Sequence, residues 1–303
     1  MSVVGGGVAA LTAAMFCTRL GLSTTVVSDL LVGGQIVSVD RVTNFPGFPD
    51  GVSGSDLSAQ VEQQARDAGA TFAFGEATAL ELRDNDYLLT TTDGDIASLA
   101  VIVATGSRLR TLGVPGEETL RGAGVSQCAS CDGPFFIDRR VAVIGGGESA
   151  ADEALVVADY ASEVVIVLRD EGLDAPAVTI ERVLAHPKIS LRPHNEVLEI
   201  LGDERVKELR LRDSRDGTES HLEVGGVFVF VGLQPNTALL EPLLELSVTG
   251  HVDTDPWMAT ATPGLFAAGD IRRHSPRQLV NAASDGATAA LAAHRYIDAL
   301  RRG

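Results

Sequence analysis

Lysine is almost missing from this chain of 303 residues: only Lys188 and Lys207 occur, within a formal net charge of -17. Nucleic acid and anionic membrane both call for basic surface, so neither is expected as a partner, and the acidic surface reads as a solubility feature. No apolar run approaches the roughly 18 residues of a spanning helix. No charged, apolar and small-residue signal opens the chain, and the expectation is a cytoplasmic protein. Cysteine is scarce too, with three in all, and in a reducing compartment a structural staple is not expected. What is abundant is hydrophobic residues, at 45%, and glycine, at 32 residues. Both suit an α/β protein with many tight turns, and the length allows two domains with cores of their own.

Two of the three cysteines stand together in Cys128-Ala129-Ser130-Cys131-Asp132-Gly133. Thiols separated by two residues can close a small ring reversibly, and a low-pKa thiolate can attack a substrate disulfide while its partner resolves the mixed disulfide. Asp132 is placed to hand a proton to a departing thiolate, or else to cap a helix beginning near Gly133. The pair also fits half of a zinc site or two unrelated buried thiols. A structural zinc site needs two more ligands, however, and neither Cys17 nor His186 nor His194 has paired ligand spacing. Cys17, on the apolar side of an Ala-rich helix, reads as core.

Two segments repeat one another. Val3-Val4 runs into Gly5-Gly6-Gly7-Val8-Ala9-Ala10, a helix to about Leu20 and a strand from Thr24 to Ser28. Val141 to Ile144 runs into Gly145-Gly146-Gly147-Glu148-Ser149-Ala150, a helix to about Tyr160 and a strand from Val164 to Leu168. Gly5 to Ser28 and Gly145 to Leu168 are equally long. Each is a βαβ opening in which Gly5, Gly7 and Ala10, or Gly145, Gly147 and Ala150, let backbone N–H groups at a helix N-terminus receive a pyrophosphate. Val101 to Gly106 reads as a buried strand and turn. Leu112 to Gly116 and Pro235-Asn236 read as crossing linkers, and a last helix is expected from Arg277 to about Arg301. The tail has no third phosphate loop. The expected fold is therefore α/β with two Rossmann-like three-layer nucleotide-binding domains, the second inserted into the first: residues 1–112 with 236–303, and residues 113–235.

With both glycine loops and the dithiol in place, the chain resembles the low-molecular-weight thioredoxin reductases of bacteria along almost its whole length. The resemblance rests on Gly5 to Gly7, Gly33-Gly34-Gln35, Asn44-Phe45-Pro46-Gly47, Ala104-Thr105-Gly106, the dithiol, Gly145 to Ala150, Gly269-Asp270 and Arg277-Gln278-Leu279. It implies FAD on Gly5, Gly7, Ala10, Gly33, Gly34, Gln35, Asn44, Ala104, Thr105, Gly106, Gly269, Asp270, Arg277, Gln278 and Leu279. Ser28 stands where an acid often binds the FAD ribose, and Asp29 is one residue further on. It implies a pyridine nucleotide on Gly145, Gly147, Glu148, Ser149, Ala150 and Arg169, with Cys128 and Cys131 as the active disulfide and the later cysteine facing the flavin. It further implies a homodimer acting on thioredoxin or a similar small disulfide or dithiol substrate.

One loop departs from the family. The usual reductases place His-Arg-Arg, three residues and a further Arg where this chain has Leu168-Arg169-Asp170-Glu171-Gly172-Leu173-Asp174. Only Arg169 survives of the arginines that clamp the 2′-phosphate of NADPH, and acids stand at two of the other places. NADPH is therefore disfavoured and NADH becomes the alternative donor, although Leu168 occupies the position that usually binds its free ribose hydroxyls. Other readings stay open: a ferredoxin-fed reductase, an oxygen-dependent dithiol oxidase, or a flavin-binding redox sensor without turnover. The intact loop from Gly145 to Ala150 speaks for a nucleotide.

Overall fold

The computed structural model describes residues 1–28, 32–84 and 86–302. The chain divides into two compact units, Met1–Arg108 with Gln234–Gly303, and Leu109–Leu233. The breaks thus precede the linkers read from the sequence. Leu112 to Gly116 belongs to the second unit because the buried Glu117 carboxylate folds it back, accepting the N–H groups of Leu112 and Gly113 at 3.0 and 2.8 Å. Pro115 O also accepts Ile200 N–H at 2.9 Å. The two crossing segments, Ser107–Leu109 and Leu233–Pro235, hydrogen-bond into a two-stranded sheet.

In the first unit a parallel sheet runs in the order Leu265–Ala267, Val101–Val103, Ser2–Val4, Thr25–Ser28, Thr71–Phe74. Its central strands are short valine-rich runs, as expected where both faces are covered. One face carries helix α1 (Val8–Arg19) and the long terminal helix, whose small side chains Ala9, Ala10, Ala13, Ala289, Ala290 and Ala293 pack together. Gly286 is required here, since a β-carbon would strike Ala9 O. The other face is covered by an antiparallel sheet of Ala77–Leu82, Tyr87–Thr91 and Gly94–Ser98, through Leu80, Tyr87 and Leu89.

The second unit repeats the plan. Its parallel sheet has the order Ile189–Arg192, Glu163–Val167, Arg140–Ile144, Gly226–Val229, Val125–Ser126. Alternation does the sorting: Val141, Val143, Val164 and Ile166 face the helix Glu148–Ala158, while Ala142, Ile144, Val165 and Val167 face an antiparallel sheet of Asn195–Gly202, Val206–Asp213 and Glu219–Glu223. The fold is α/β, with two Rossmann-like three-layer units. Neither antiparallel sheet was read from the sequence. The terminal helix begins at Leu279, because Arg277 sits at φ 58°, outside helical space.

Candidate functional sites

Parallel strands bring all their carboxyl ends to one edge, where ligands of such sheets bind. In the first unit Val4, Val27, Val103 and Ala267 are in register, so the Gly5 loop, Ser28, Ala104 to Gly106 and Gly269-Asp270 all leave from that edge. In the second unit Ile144 is in register with Val167 and Val229, and Ser126 with Phe228. The Gly145 loop, Leu168 to Asp170 and the dithiol leave from the corresponding edge. The dithiol therefore follows the edge strand of its unit, as Gly269-Asp270 follows the edge strand of the first.

The first glycine loop is built by close approach. Gly5 has φ 121° and a β-carbon there would strike Ala104 O, while one at Gly6 would strike Ser28 Oγ. Gly7 faces open space. It caps α1 without a side-chain hydrogen bond, and no acid stands in the first turn, so among the described residues no side chain caps the N–H groups of this helix end. Gly33 N–H donates to Gly6 O at 2.8 Å and Gly33 bridges Gly7, which lays the Gly33-Gly34 turn beside the loop. Gln35 is tied down, its Nε2 donating to Ser107 O at 2.7 Å and Ser107 Oγ at 3.0 Å. A small core of Val8, Ile36, Val42, Leu57, Phe45 and Leu279 joins this turn to the Asn44 segment and the terminal helix. Asn44 Nδ2 donates to Gln278 Oε1 at 3.0 Å. Ala10 is fully buried, so its part is to let α1 close on the sheet. Asp29 lies outside the described residues.

Asp270 sits in a short 3-10 turn and does not cap the terminal helix. It accepts Ser275 Oγ at 3.2 Å, and burial pushes its carboxyl above the ordinary range. Two side chains not read as site residues in the sequence hold the neighbourhood. Asp285, projecting from the alanine face of the terminal helix, pairs with Arg272 through contacts of 2.8 and 2.9 Å and accepts Gly269 N–H at 3.1 Å. Asn236 donates to Thr105 O at 3.0 Å and accepts Arg108 Nη1 at 3.1 Å. A charged residue in an alanine stripe was the signal for the former; the latter has none. The open, uncapped helix end, the glycine approaches and the polar groups at the sheet edge fit an FAD dinucleotide.

The second loop copies the first in backbone and departs in charge. Gly145 has φ 138°, and a β-carbon on it would strike Phe230 O; Gly147 faces open space. Asp174 takes the place of Gly33, its N–H donating to Gly146 O at 2.7 Å while it bridges Gly147. Leu168 takes the place of Ser28 against the middle glycine and is 2% exposed. Ala150 is buried, whereas Glu148, Ser149, Arg169, Asp170 and Asp174 are exposed.

Cys128 and Cys131 form a disulfide with Cα atoms 5.4 Å apart. Cys128 is the N-cap of a single helical turn, Ala129–Asp132, and its Sγ accepts Cys131 N–H at 3.2 Å. Glu153 Oε2 accepts Ala129 N–H at 2.8 Å. Asp132 makes no side-chain cap to the following 3-10 turn; its Oδ2 accepts Ser126 Oγ at 2.6 Å instead. Cys128 is half-buried and Cys131 exposed. Cys17 is buried, and burial raises its thiol to about 12. Among the described residues no cluster of three or more His, Cys, Asp or Glu could hold a metal ion. No described helix is long and apolar enough to cross a membrane.

Two dinucleotide-type sheet edges and a disulfide on one of them define a class of flavoprotein disulfide oxidoreductase. The family model described as pyridine nucleotide-disulphide oxidoreductase matches residues 1–286. The thioredoxin reductase of Treponema pallidum is 40% identical over 299 residues, covering 99% of this chain and 97% of that one. Among solved structures, the thioredoxin reductase of Lactococcus lactis superposes with a TM-score of 0.95 at 33% identity, covering 98% of each chain. That of T. acidophilum gives 0.92 at 30%, covering 99% of this chain and 98% of the other. The chain belongs to the pyridine nucleotide-disulphide oxidoreductases, within the low-molecular-weight thioredoxin reductase family, and is an FAD-dependent thiol-disulfide oxidoreductase of that type.

Proposed function

We propose that the chain passes electrons through FAD and the Cys128–Cys131 pair to thioredoxin or a similar small disulfide protein, and that NADPH is a poor donor. The observation that carries this is the disulfide at the carboxyl edge of its sheet, followed at once by a carboxylate. FAD, when bound, supplies the two-electron relay between donor and dithiol. The first loop, Gly33 to Gln35, Asn44, Ala104 to Gly106, Gly269-Asp270 and Arg277 to Leu279 would hold it. Once the dithiol is reduced, Cys128 attacks the substrate disulfide as thiolate. One substrate sulfur joins Cys128 in a mixed disulfide, and the other leaves and takes a proton from Asp132. Cys131, assigned to the flavin side, then attacks Cys128 Sγ; the Cys128–substrate bond breaks, the second substrate sulfur leaves with the proton that Cys131 gives up, and the internal disulfide is restored, so that two electrons and two protons end on the substrate.

The Gly145 loop is the nucleotide cradle, and the acids at Asp170 and Asp174 turn it against a 2′-phosphate, which leaves NADH as the pyridine donor. Those same acids favour a second reading, a ferredoxin-fed reductase or an oxygen-dependent dithiol oxidase. The intact backbone of the loop weighs against it. The proposal includes a cytoplasmic location and a homodimer, which the family likeness supports. Anaerobic mixing of oxidised holoenzyme with NADH, NADPH or reduced ferredoxin, following which one bleaches the flavin, separates these readings. Bleaching by NADH supports the first; bleaching by ferredoxin alone overturns it.

A further inference from the structure

We infer that Ser126 is the positioning residue that selects which carboxyl oxygen of Asp132 carries the transferable proton; this rests on the reading of Asp132 as the general acid. Ser126 ends the edge strand Val125–Ser126 and is 7% exposed. Its hydroxyl lies 2.6 Å from Asp132 Oδ2 and 3.3 Å from Cys128 O, while it accepts Cys128 N–H at 3.1 Å. A hydroxyl has one proton, and the shorter contact has the length of a full O–H···O bond, so the proton goes to Asp132. One side chain thereby ties the acid to the backbone of the first cysteine.

In a neutral carboxylic acid the carbonyl-type oxygen is the better acceptor, so the oxygen receiving Ser126 is the one without a proton. While Ser126 donates to Oδ2, the acid proton of Asp132 sits on Oδ1. In the exchange step the substrate S–S bond breaks, Cys128 Sγ bonds to one sulfur, and the pair of electrons from the broken bond stays on the leaving sulfur. That sulfur takes the Oδ1 proton and leaves as a thiol, with Asp132 left as carboxylate. Without Ser126 the carboxyl turns freely and the proton divides between two oxygens.

Help to a leaving group matters only when that group is basic, since a low-pKa thiolate departs unaided. The test therefore mixes holoenzyme, reduced anaerobically with dithionite, with either a dialkyl disulfide such as hydroxyethyl disulfide or an aryl disulfide such as 5,5′-dithiobis(2-nitrobenzoate), and follows loss of the dithiol by acid quench and thiol counting. Ser126→Ala should slow the alkyl reaction by about tenfold, the lower part of what general acids contribute, and the aryl reaction by less than about threefold. Ser126→Thr, which keeps the hydroxyl, should restore the alkyl rate. Equal slowing with both disulfides, or an unchanged alkyl rate, overturns the role of Ser126. Asp132→Asn separates the two layers: if it slows the alkyl reaction selectively and Ser126→Ala does not, only the positioning role falls. If Asp132→Asn shows no selectivity either, the acid assignment falls and takes the positioning role with it.

Discussion

Exchanging Asp170 and Asp174 for arginine should convert the choice of electron donor. Asp174 cannot drift from the second glycine loop, because its N–H is held by Gly146 O at 2.7 Å and it bridges Gly147. Asp170 is fixed through its carbonyl, which accepts His194 N–H at 3.3 Å. Like unit charges about 5 Å apart repel by about 1 kcal/mol in water and about 3 kcal/mol at an effective dielectric of about 20. Both carboxylates are exposed, so the low end applies, about 1 kcal/mol each. The sum of about 2 kcal/mol corresponds to about thirtyfold, and salt screening leaves at least about tenfold in favour of NADH over NADPH. The assay is anaerobic stopped-flow bleaching of the flavin over a series of each nucleotide, for wild type and for Asp170→Arg/Asp174→Arg, with FAD content and thiol count as controls. The double variant should recover NADPH use with both controls unchanged. Efficient reduction of wild type by micromolar NADPH would refute the reasoning. If neither nucleotide reduces either protein, the ferredoxin or oxidase reading takes over.

Three further outcomes follow from the same geometry. Asp132→Asn should slow turnover on the disulfide substrate by about two orders of magnitude, the scale of a lost general acid, with FAD retained; an unaltered pH–rate profile would reduce Asp132 to a structural residue. Asp285→Ala leaves Arg272, half-buried at 12% side-chain exposure, with Thr254 but without its carboxylate partner, which costs up to about 3 kcal/mol, the low end for a broken buried pair. Denaturant midpoints and FAD retention should both fall, and a variant as stable as wild type would contradict the assigned pair. Burial raises the Asp270 carboxyl, so the folded chain takes up this proton more readily than the unfolded one. That contribution favours folding at low pH and is lost as pH rises through the raised value. Asp270→Asn should therefore raise the melting temperature of FAD-free protein near neutral pH, with the gain vanishing below the ordinary carboxylate range, and should weaken FAD binding. A gain that grew toward acid pH would contradict the sign.

The βαβ openings were legible because glycine spacing is dictated locally: Gly5 and Gly145 both sit where a β-carbon would strike a carbonyl of the neighbouring strand. The dithiol was legible from its spacing together with the lack of further cysteine or histidine ligands at paired spacing. The antiparallel sheets were not, since strands such as Asn195–Gly202 and Val206–Asp213 are interrupted by charged residues that face outward and pair across the sheet, Glu199 with Arg210 and Glu196 with Arg212. At the first linker, Glu117 satisfies the N–H groups of Leu112 and Gly113 from several residues away, a contact not legible in the sequence. Ser126, Asn236 and Asp285 escaped notice for a related reason. Each acts through a contact that only the folded chain creates, such as Asp285 with Arg272 and Gly269.

The most direct measurement reduces holoenzyme anaerobically, adds oxidised thioredoxin and counts the thiols that appear on it, for wild type, Cys128→Ser and Cys131→Ser. Wild type should deliver two thiols per dithiol consumed, Cys128→Ser essentially none, and Cys131→Ser at most the single thiol of a mixed disulfide held on Cys128, with FAD still bound in both variants. Delivery of two thiols per thioredoxin by either variant would contradict the disulfide's place in the electron path.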